Sequence, residues 1–349
     1  MPVPNHMTKA QPVKGTPRSS LRQRVCLLGA TGTIGRATLR VLVQRGHDVV
    51  CFVRPQAARG WPRATEGDGA FFNGAAARFV DVLNPASLTR DGFQGERFDA
   101  VVSCMASRTG APKDAWAVDY QAHVDLLAAA QESGVSQFVQ LSAICVQKPV
   151  LAFQHAKLAF ETALMESGVP YSIVRPTAFF KSLSGQVERV RRGKPFLVFG
   201  DGMLTSCKPI SDNDLAIYLA QCLEDELRWN RVLPIGGPGA AVTPRQQGEF
   251  LFALLRRPPQ FRKVPLAMLD GIVGALSVIA PIARPLAEKA ELARIGRYYA
   301  TESMLWLNPE TGRYDADATP ATGAETLFDF YSSVITGDIA PERGDHAVF

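Results

Sequence analysis

The sequence predicts an α/β protein of the Rossmann type, a doubly wound parallel sheet with a smaller C-terminal substrate-binding region. Three observations carry this. The strand and glycine-spaced turn VCLLGATGTIG runs from Val25 to Gly35; short apolar runs then alternate with helical patterns; and the regularity stops after Arg175-Pro176. Alternation of this kind is how βαβ units build a parallel sheet covered on both faces.

The first turn points to a dinucleotide. Gly29 takes the backbone angles of the tight turn after the strand, Gly32 has no Cβ to hold a pyrophosphate away, and Gly35 lets the helix pack close to the sheet. Thr31, Gly32, Thr33, Ile34 and Gly35 thus form a phosphate-facing turn, with free amides at the start of the helix ATLRVLVQRG. The second strand, HDVVCFVR, selects the cofactor. An acidic residue at its end would accept hydrogen bonds from the ribose of NAD, whereas an arginine pairs with a 2′-phosphate. Here Arg54 stands at that end and Arg36 directly follows the last glycine, which favours NADPH.

The later elements follow in order. The third strand, ARFVDVL, brings Asp81 toward an adenine amino group, or equally to a turn that it caps. AVVSCMA is the fourth strand, and WAVDYQAHVDLLAAAQESG reads as an amphipathic helix from Trp116 closed by Gly134. QFVQLSAI places Ser142 beside the nicotinamide, and YSIVRPTA is followed by Pro176 and Phe179, suited to pack along that end of the cofactor. The expected organisation is a basic leader over residues 1–23, an NADP-binding domain over 24–178 and a mainly substrate-binding region over 179–349, with some return to the Rossmann core.

Charge gives no global argument for a nucleic-acid partner, and none is expected. Of the net +5, residues 1–24 contribute five basic groups (Lys9, Lys14, Arg18, Arg22, Arg24) and no acidic ones, and the rest of the chain balances 33 against 33. The leader lacks the apolar core of a secretory signal and reads as disordered. Six scattered cysteines with no C-x-x-C pair suit a reduced, cytoplasmic interior. The longest uncharged apolar run, Gly271 to Ala283, has 13 residues and includes Pro281, well short of the roughly 20 that span a membrane. It suits a bilayer surface or a pocket lid. No residue cluster implies a metal or a flavin.

The catalytic neighbourhood is LSAICVQKPVLAFQHAKLAFE. Extended short-chain dehydrogenases carry Y-x-x-x-K on the corresponding helix, where the lysine holds the nicotinamide ribose and lowers the tyrosine's pKa. At this spacing the chain has Phe153 and Lys157, so the lysine is present and the acid is not. His155 lies on a different helical face from Lys157. Phe179, Phe180, Phe196 and Phe199 offer flat apolar walls, or simple core. Lys181, Arg189, Arg191, Arg192 and Lys194 form a basic cluster that suits a substrate carboxylate, or a solvated face.

Four stretches together resemble the NADPH-type divinyl chlorophyllide a 8-vinyl reductases, atypical short-chain reductases akin to the isoflavone-reductase-like group. They are LLGATGTIGRATLRVLVQRGHDVVCFVR, LSAICVQKPVLAFQHAKLAFE, IVRPTAFFKSLSGQVERVRRGKPFLVFGDG and ESMLWLNPETGRYDADATPATGAETL. The similarity spans roughly residues 24–340, and SAICVQKP and YDADATP are distinctive beyond the shared fold. It implies reduction of a vinyl to an ethyl group on divinyl chlorophyllide a, in chlorophyll or bacteriochlorophyll synthesis. It also implies Lys157 as the group that orients the nicotinamide ribose and relays a proton, whose final source, water or another side chain, is open. The apolarity of that substrate adds an expectation of peripheral contact with a photosynthetic membrane. Two other readings stand beside it: a reductase of a smaller metabolite, disfavoured by the missing tyrosine, and a non-catalytic NADP(H) sensor or assembly factor, disfavoured by Lys157. Oligomeric state is not written in the sequence.

Overall fold

Seven parallel strands form one sheet. The structure, a computed structural model, describes residues 22–55, 74–279 and 284–339. Most of the leader and the end of the Gly271 to Ala283 run lie outside the described residues. In chain order β1 is Arg24–Leu28, β2 Asp48–Val53, β3 Ala76–Phe79, β4 Ala100–Ser103, β5 Gln137–Leu141 and β6 Tyr171–Pro176. Each of the six expected strands is present. After β7 (Phe196–Phe199), β8 (Arg231–Ile235) adds a seventh at the edge, so the order across the sheet is β3-β2-β1-β4-β5-β6-β8.

Successive side chains of a strand face opposite ways, and both faces of this sheet are covered. Val25 and Leu27 enter one core with Val49, Cys51 and Val102, closed by the helices Thr33–Gln44 and Asp212–Glu224. Cys26 and Leu28 enter the other with Val50, Phe52 and Val101, closed by Leu126 and Phe160 from two further helices. The chain past Phe179 therefore returns to the sheet before departing again. All six cysteines are unpaired thiols.

Beyond the sheet, β7 pairs in parallel with β9 (Phe261–Val264), and a third apolar core forms around Phe180, Phe196, Leu251 and Tyr331. β10 (Trp306–Leu307) and β11 (Tyr314–Asp315) make a short antiparallel ribbon. It is tied to the turn after β5 by the two distinctive strings. Gln147 Nε2 donates to Leu305 O at 2.5 Å, and Gln147 Oε1 accepts from Leu307 N at 2.9 Å. Lys148 Nζ and the Tyr314 hydroxyl meet on the Glu302 carboxylate, at 2.7 and 2.8 Å.

Candidate active site

The glycine turn is built by close contact. Gly29 has φ +78°, and a Cβ there would sit 2.6 Å from the Cys104 carbonyl carbon. A Cβ on Gly35 would sit 2.0 Å from Gly29 O, which sets how near the helix Thr33–Gln44 comes to the strand. Gly32 differs: its nearest neighbour would be 3.4 Å away, so its missing side chain leaves open space. Gly32 is also the N-cap, and no side chain caps the helix, so its first amides face outward. A pyrophosphate fits this cradle.

Around the turn, Arg36 is exposed and its Nε donates to Thr31 O at 3.1 Å. Arg54 is exposed directly after β2. Asp81 Oδ1 accepts from Leu83 N at 3.1 Å, which is the turn-capping arrangement. Lys181 Nζ donates to Thr33 Oγ1 at 2.8 Å and so bridges the outer segment to the start of the first helix.

A cavity of about 820 Å³ opens beyond the carboxyl ends of β4, β5 and β6, where ligands bind in open α/β sheets. Its inner wall is Ala106–Gly110, Ala143–Cys145 and Pro176–Phe179, with Lys157. Pro176, Phe179 and Lys157 are thus brought together on it. Phe153, Phe196 and Phe199 add apolar wall, and Arg108 and Lys289 add cationic groups. Two open alternatives are decided here, and a third residue stays off the wall as its helical face suggested. Phe180 turns away into the outer core, packing on Phe330 at 5.5 Å between ring centroids. The basic cluster does not line the cavity: Arg189 donates to Pro195 O, Arg191 and Arg192 pair with Glu188, and Lys181 goes to Thr33. His155 is exposed and off the cavity wall.

Lys157 is buried, and its Nζ lies 3.0 Å from Asp119 Oδ1. Asp119 was not legible as a site residue. It sits in a π-helical turn, Trp116–Gln121, inside the long helix that Gly134 terminates at φ +73°. Such wide turns recur at functional sites because they re-aim side chains. Asp119 Oδ1 also accepts from Ser107 N at 3.2 Å, which anchors the carboxylate to the loop after β4. One turn on, His123 is fully buried; its Nδ1 donates to Val118 O and its Nε2 accepts from Ser103 Oγ, both at 2.8 Å. Burial, with Lys157 nearby, lowers its pKa to about 4, so it is neutral.

Beneath the wall lies a second buried group. Ser142 Oγ donates to Glu161 Oε1 at 2.5 Å, and Arg175 reaches both oxygens of that carboxylate, its Nε at 3.2 Å. Ser142 therefore locks the end of β5 to the helix Ala152–Glu166, which carries Lys157, and is itself off the cavity wall. Gln154 adds a further tie: its Oε1 accepts from Leu151 N at 2.9 Å and its Nε2 donates to Cys145 O at 3.3 Å.

Two kinds of likeness bear on this geometry. A family model described as NAD(P)H-binding matches residues 29–226. The divinyl chlorophyllide a 8-vinyl-reductase of Cucumis sativus chloroplasts is 46% identical over 98% of this chain and 85% of its own. That of Arabidopsis thaliana is 48% identical over 91% and 78%. The chain belongs to the divinyl chlorophyllide a 8-vinyl-reductase family. Among solved structures, AtPrR2 with NADP+ and (+)-pinoresinol has a TM-score of 0.64 at 16% identity, covering 90% of this chain and 99% of that one. That likeness shows the fold alone: a Rossmann-type sheet with flanking helices. Membership in the vinyl-reductase family fits the wall as built, with a lysine and no tyrosine at the Y-x-x-x-K spacing. The cofactor is a nicotinamide dinucleotide.

Proposed function

We propose that this chain reduces the 8-vinyl group of divinyl chlorophyllide a to ethyl with NADPH as the reductant. The observation that carries the reading is Lys157, buried against Asp119 on the wall of an 820 Å³ cavity at the sheet's carboxyl edge, in a chain of this family. NADPH bound at the glycine turn supplies a hydride. Gly29, Thr31, Gly32, Thr33, Ile34 and Gly35 would hold its pyrophosphate, and Arg36 and Arg54 its 2′-phosphate. Asp81 borders the adenine side. Lys157, steadied by Asp119, orients the nicotinamide ribose, with Pro176 and Phe179 packed along that end and Ser142 fixing the strand beneath.

The substrate side is residues 179–211 together with the later helices, on a Rossmann core of 24–178 that takes back β8 and the helix Asp212–Glu224. A flat, apolar tetrapyrrole suits walls of Phe153, Phe179, Phe196 and Phe199, and its carboxylate suits Arg108 or Lys289 rather than the cluster around Arg189. Vinyl reduction spreads negative charge over a conjugated macrocycle, so it asks less of a local acid than carbonyl reduction does. The Phe153 position is consistent with that.

We also place the protein on the cytoplasmic face of a photosynthetic membrane, as a peripheral protein. Among the described residues no helix is long and apolar enough to cross a bilayer. The helix Leu266–Ile279 carries a single charge, Asp270, bound to Arg297, and exposes Met268 at 51% and Ile272 at 41%. It packs beside the helix Arg284–Thr301, which supplies Leu292 and Ile295 to the cavity. A lipid-soluble substrate would reach the cavity along this side.

The test is anaerobic incubation of the purified protein with divinyl chlorophyllide a and either NADPH or NADH, with pigments separated by chromatography. Monovinyl product with NADPH and far less with NADH is expected; NADPH binding without product overturns the reading.

A further inference from the structure

We propose that Tyr299 is the catalytic residue that supplies the proton, from a helix remote in sequence from the position where related dehydrogenases keep theirs. The inference rests on the vinyl-reduction reading above. Tyr299 lies on the helix Arg284–Thr301 and is, among the described residues, the one tyrosine on the cavity wall. It shares that wall with Lys157, Ile144 and Cys145, and its hydroxyl stands 3.9 Å from Cys145 Sγ. Cys145 belongs to the turn Ile144–Gln147 that leaves the carboxyl end of β5. The phenol thus hangs over the crevice where the nicotinamide and the substrate must meet.

The placement is held by its neighbour. The Tyr298 hydroxyl turns into the protein and donates to Cys145 O at 2.9 Å and Lys148 O at 3.1 Å. The two rings stand at 90° with centroids 5.7 Å apart. One tyrosine pins the helix to the turn after β5, and the next faces the cavity, 37% exposed. Two other titratable groups nearby are held elsewhere. His123 has both ring nitrogens bonded and is off the cavity wall, and the Glu302 carboxylate is held by Lys148 and Tyr314. Desolvation and the adjacent Cys145 keep the Tyr299 phenol well above the ordinary tyrosine range, so it carries its proton at neutral pH.

The step balances. Hydride from the reduced nicotinamide, which is oxidised, forms a C–H bond to one vinyl carbon as the π bond breaks. The electron pair left on the other carbon, shared with the macrocycle, takes the Tyr299 proton as the O–H bond breaks. Water then returns a proton to the phenolate. A positioned general acid is worth roughly 10²–10⁴ in rate.

The experiment is Tyr299→Phe, with turnover measured beside pigment binding. Turnover should fall about 100-fold or more, while the chlorophyllide Kd, read from the Soret shift without NADPH, stays within about twofold of wild type. Turnover within about threefold of wild type overturns the assignment. So does a Kd that rises in step with the rate loss, which would make Tyr299 a wall and not a donor. Tyr299→Met, judged by the same two readouts, serves if the phenylalanine variant does not melt cooperatively. Wild-type protein that reduces no vinyl group would overturn the reaction and the assignment together, and so is distinguishable from failure of Tyr299 alone.

Discussion

Lys157 Nζ and Asp119 Oδ1 stand 3.0 Å apart with both side chains buried, and Asp119 Oδ2 has no hydrogen-bond partner among the described residues. A buried pair of this kind holds its lysine in one place, and removing one partner leaves an uncompensated charge at a cost of about 3–5 kcal/mol. Lys157→Ala should lower turnover about 100-fold while NADPH binding weakens only severalfold; an unaffected rate would remove the lysine from the mechanism. Asp119→Asn should lower both the melting temperature and turnover, since the lysine stays but its anchor is gone. Thermal melts and steady-state kinetics on the two variants check both statements.

Gly32 and Gly35 should respond differently to the same added methyl. At Gly35 it would lie 2.0 Å from Gly29 O, so Gly35→Ala must displace the helix and is expected to destabilise the whole domain. At Gly32 the nearest atom is 3.4 Å away and φ is −80°, so Gly32→Ala should melt like wild type. It should nevertheless bind NADPH at least about tenfold more weakly, because the methyl occupies the phosphate's approach. Melting curves and cofactor titrations of both variants separate fold from site; undiminished NADPH affinity in Gly32→Ala would place the pyrophosphate elsewhere.

Arg54 decides between the two dinucleotides if it meets the 2′-phosphate. A hydrogen bond to a charged group is worth about 1.5–3 kcal/mol, roughly 10- to 150-fold in affinity. Arg54→Ala should lose that much affinity for NADPH and little for NADH. Equal losses for both would assign the arginine a general role.

Much of this was readable because the glycine turn is a steric device with few solutions, and because strands covered on both faces are written as continuous apolar runs. The seventh strand was not. β8 contains Pro234 and leads into Gly236 and Gly237, so it reads as a turn cluster; the proline is tolerated because β8 lies at the sheet's edge. Asp119 was hidden for another reason: the π turn shifts the helical register, so 3.6-residue spacing does not show which way it points. The charge run around Arg189 left a ligand site and a solvated face both open, because its partners, Glu188 and the Pro195 carbonyl, are local and leave no signature of their own.

His123 gives the protein an acid-sensitive core. Its folded pKa, about 4, lies below the ordinary 6.5, so the unfolded chain takes up a proton that the folded chain refuses. The stability this contributes is present above pH 6.5 and is lost as pH falls from 6.5 toward 4, by at most about 1.4 kcal/mol per pH unit. Urea midpoints between pH 7 and 4.5 should therefore fall more steeply for wild type than for His123→Gln. Parallel slopes would mean the imidazole protonates without unfolding.

The most direct test of hydride delivery to the 8-vinyl group follows the atom itself. NADPH deuterated at nicotinamide C4, prepared as each epimer, is incubated with divinyl chlorophyllide a and the protein in ordinary water, and the pigment is analysed by mass spectrometry. One deuterium in the new ethyl group, from one epimer and not the other, is expected. Ethyl product that carries no deuterium from either epimer would contradict it, as would no reduced pigment at all.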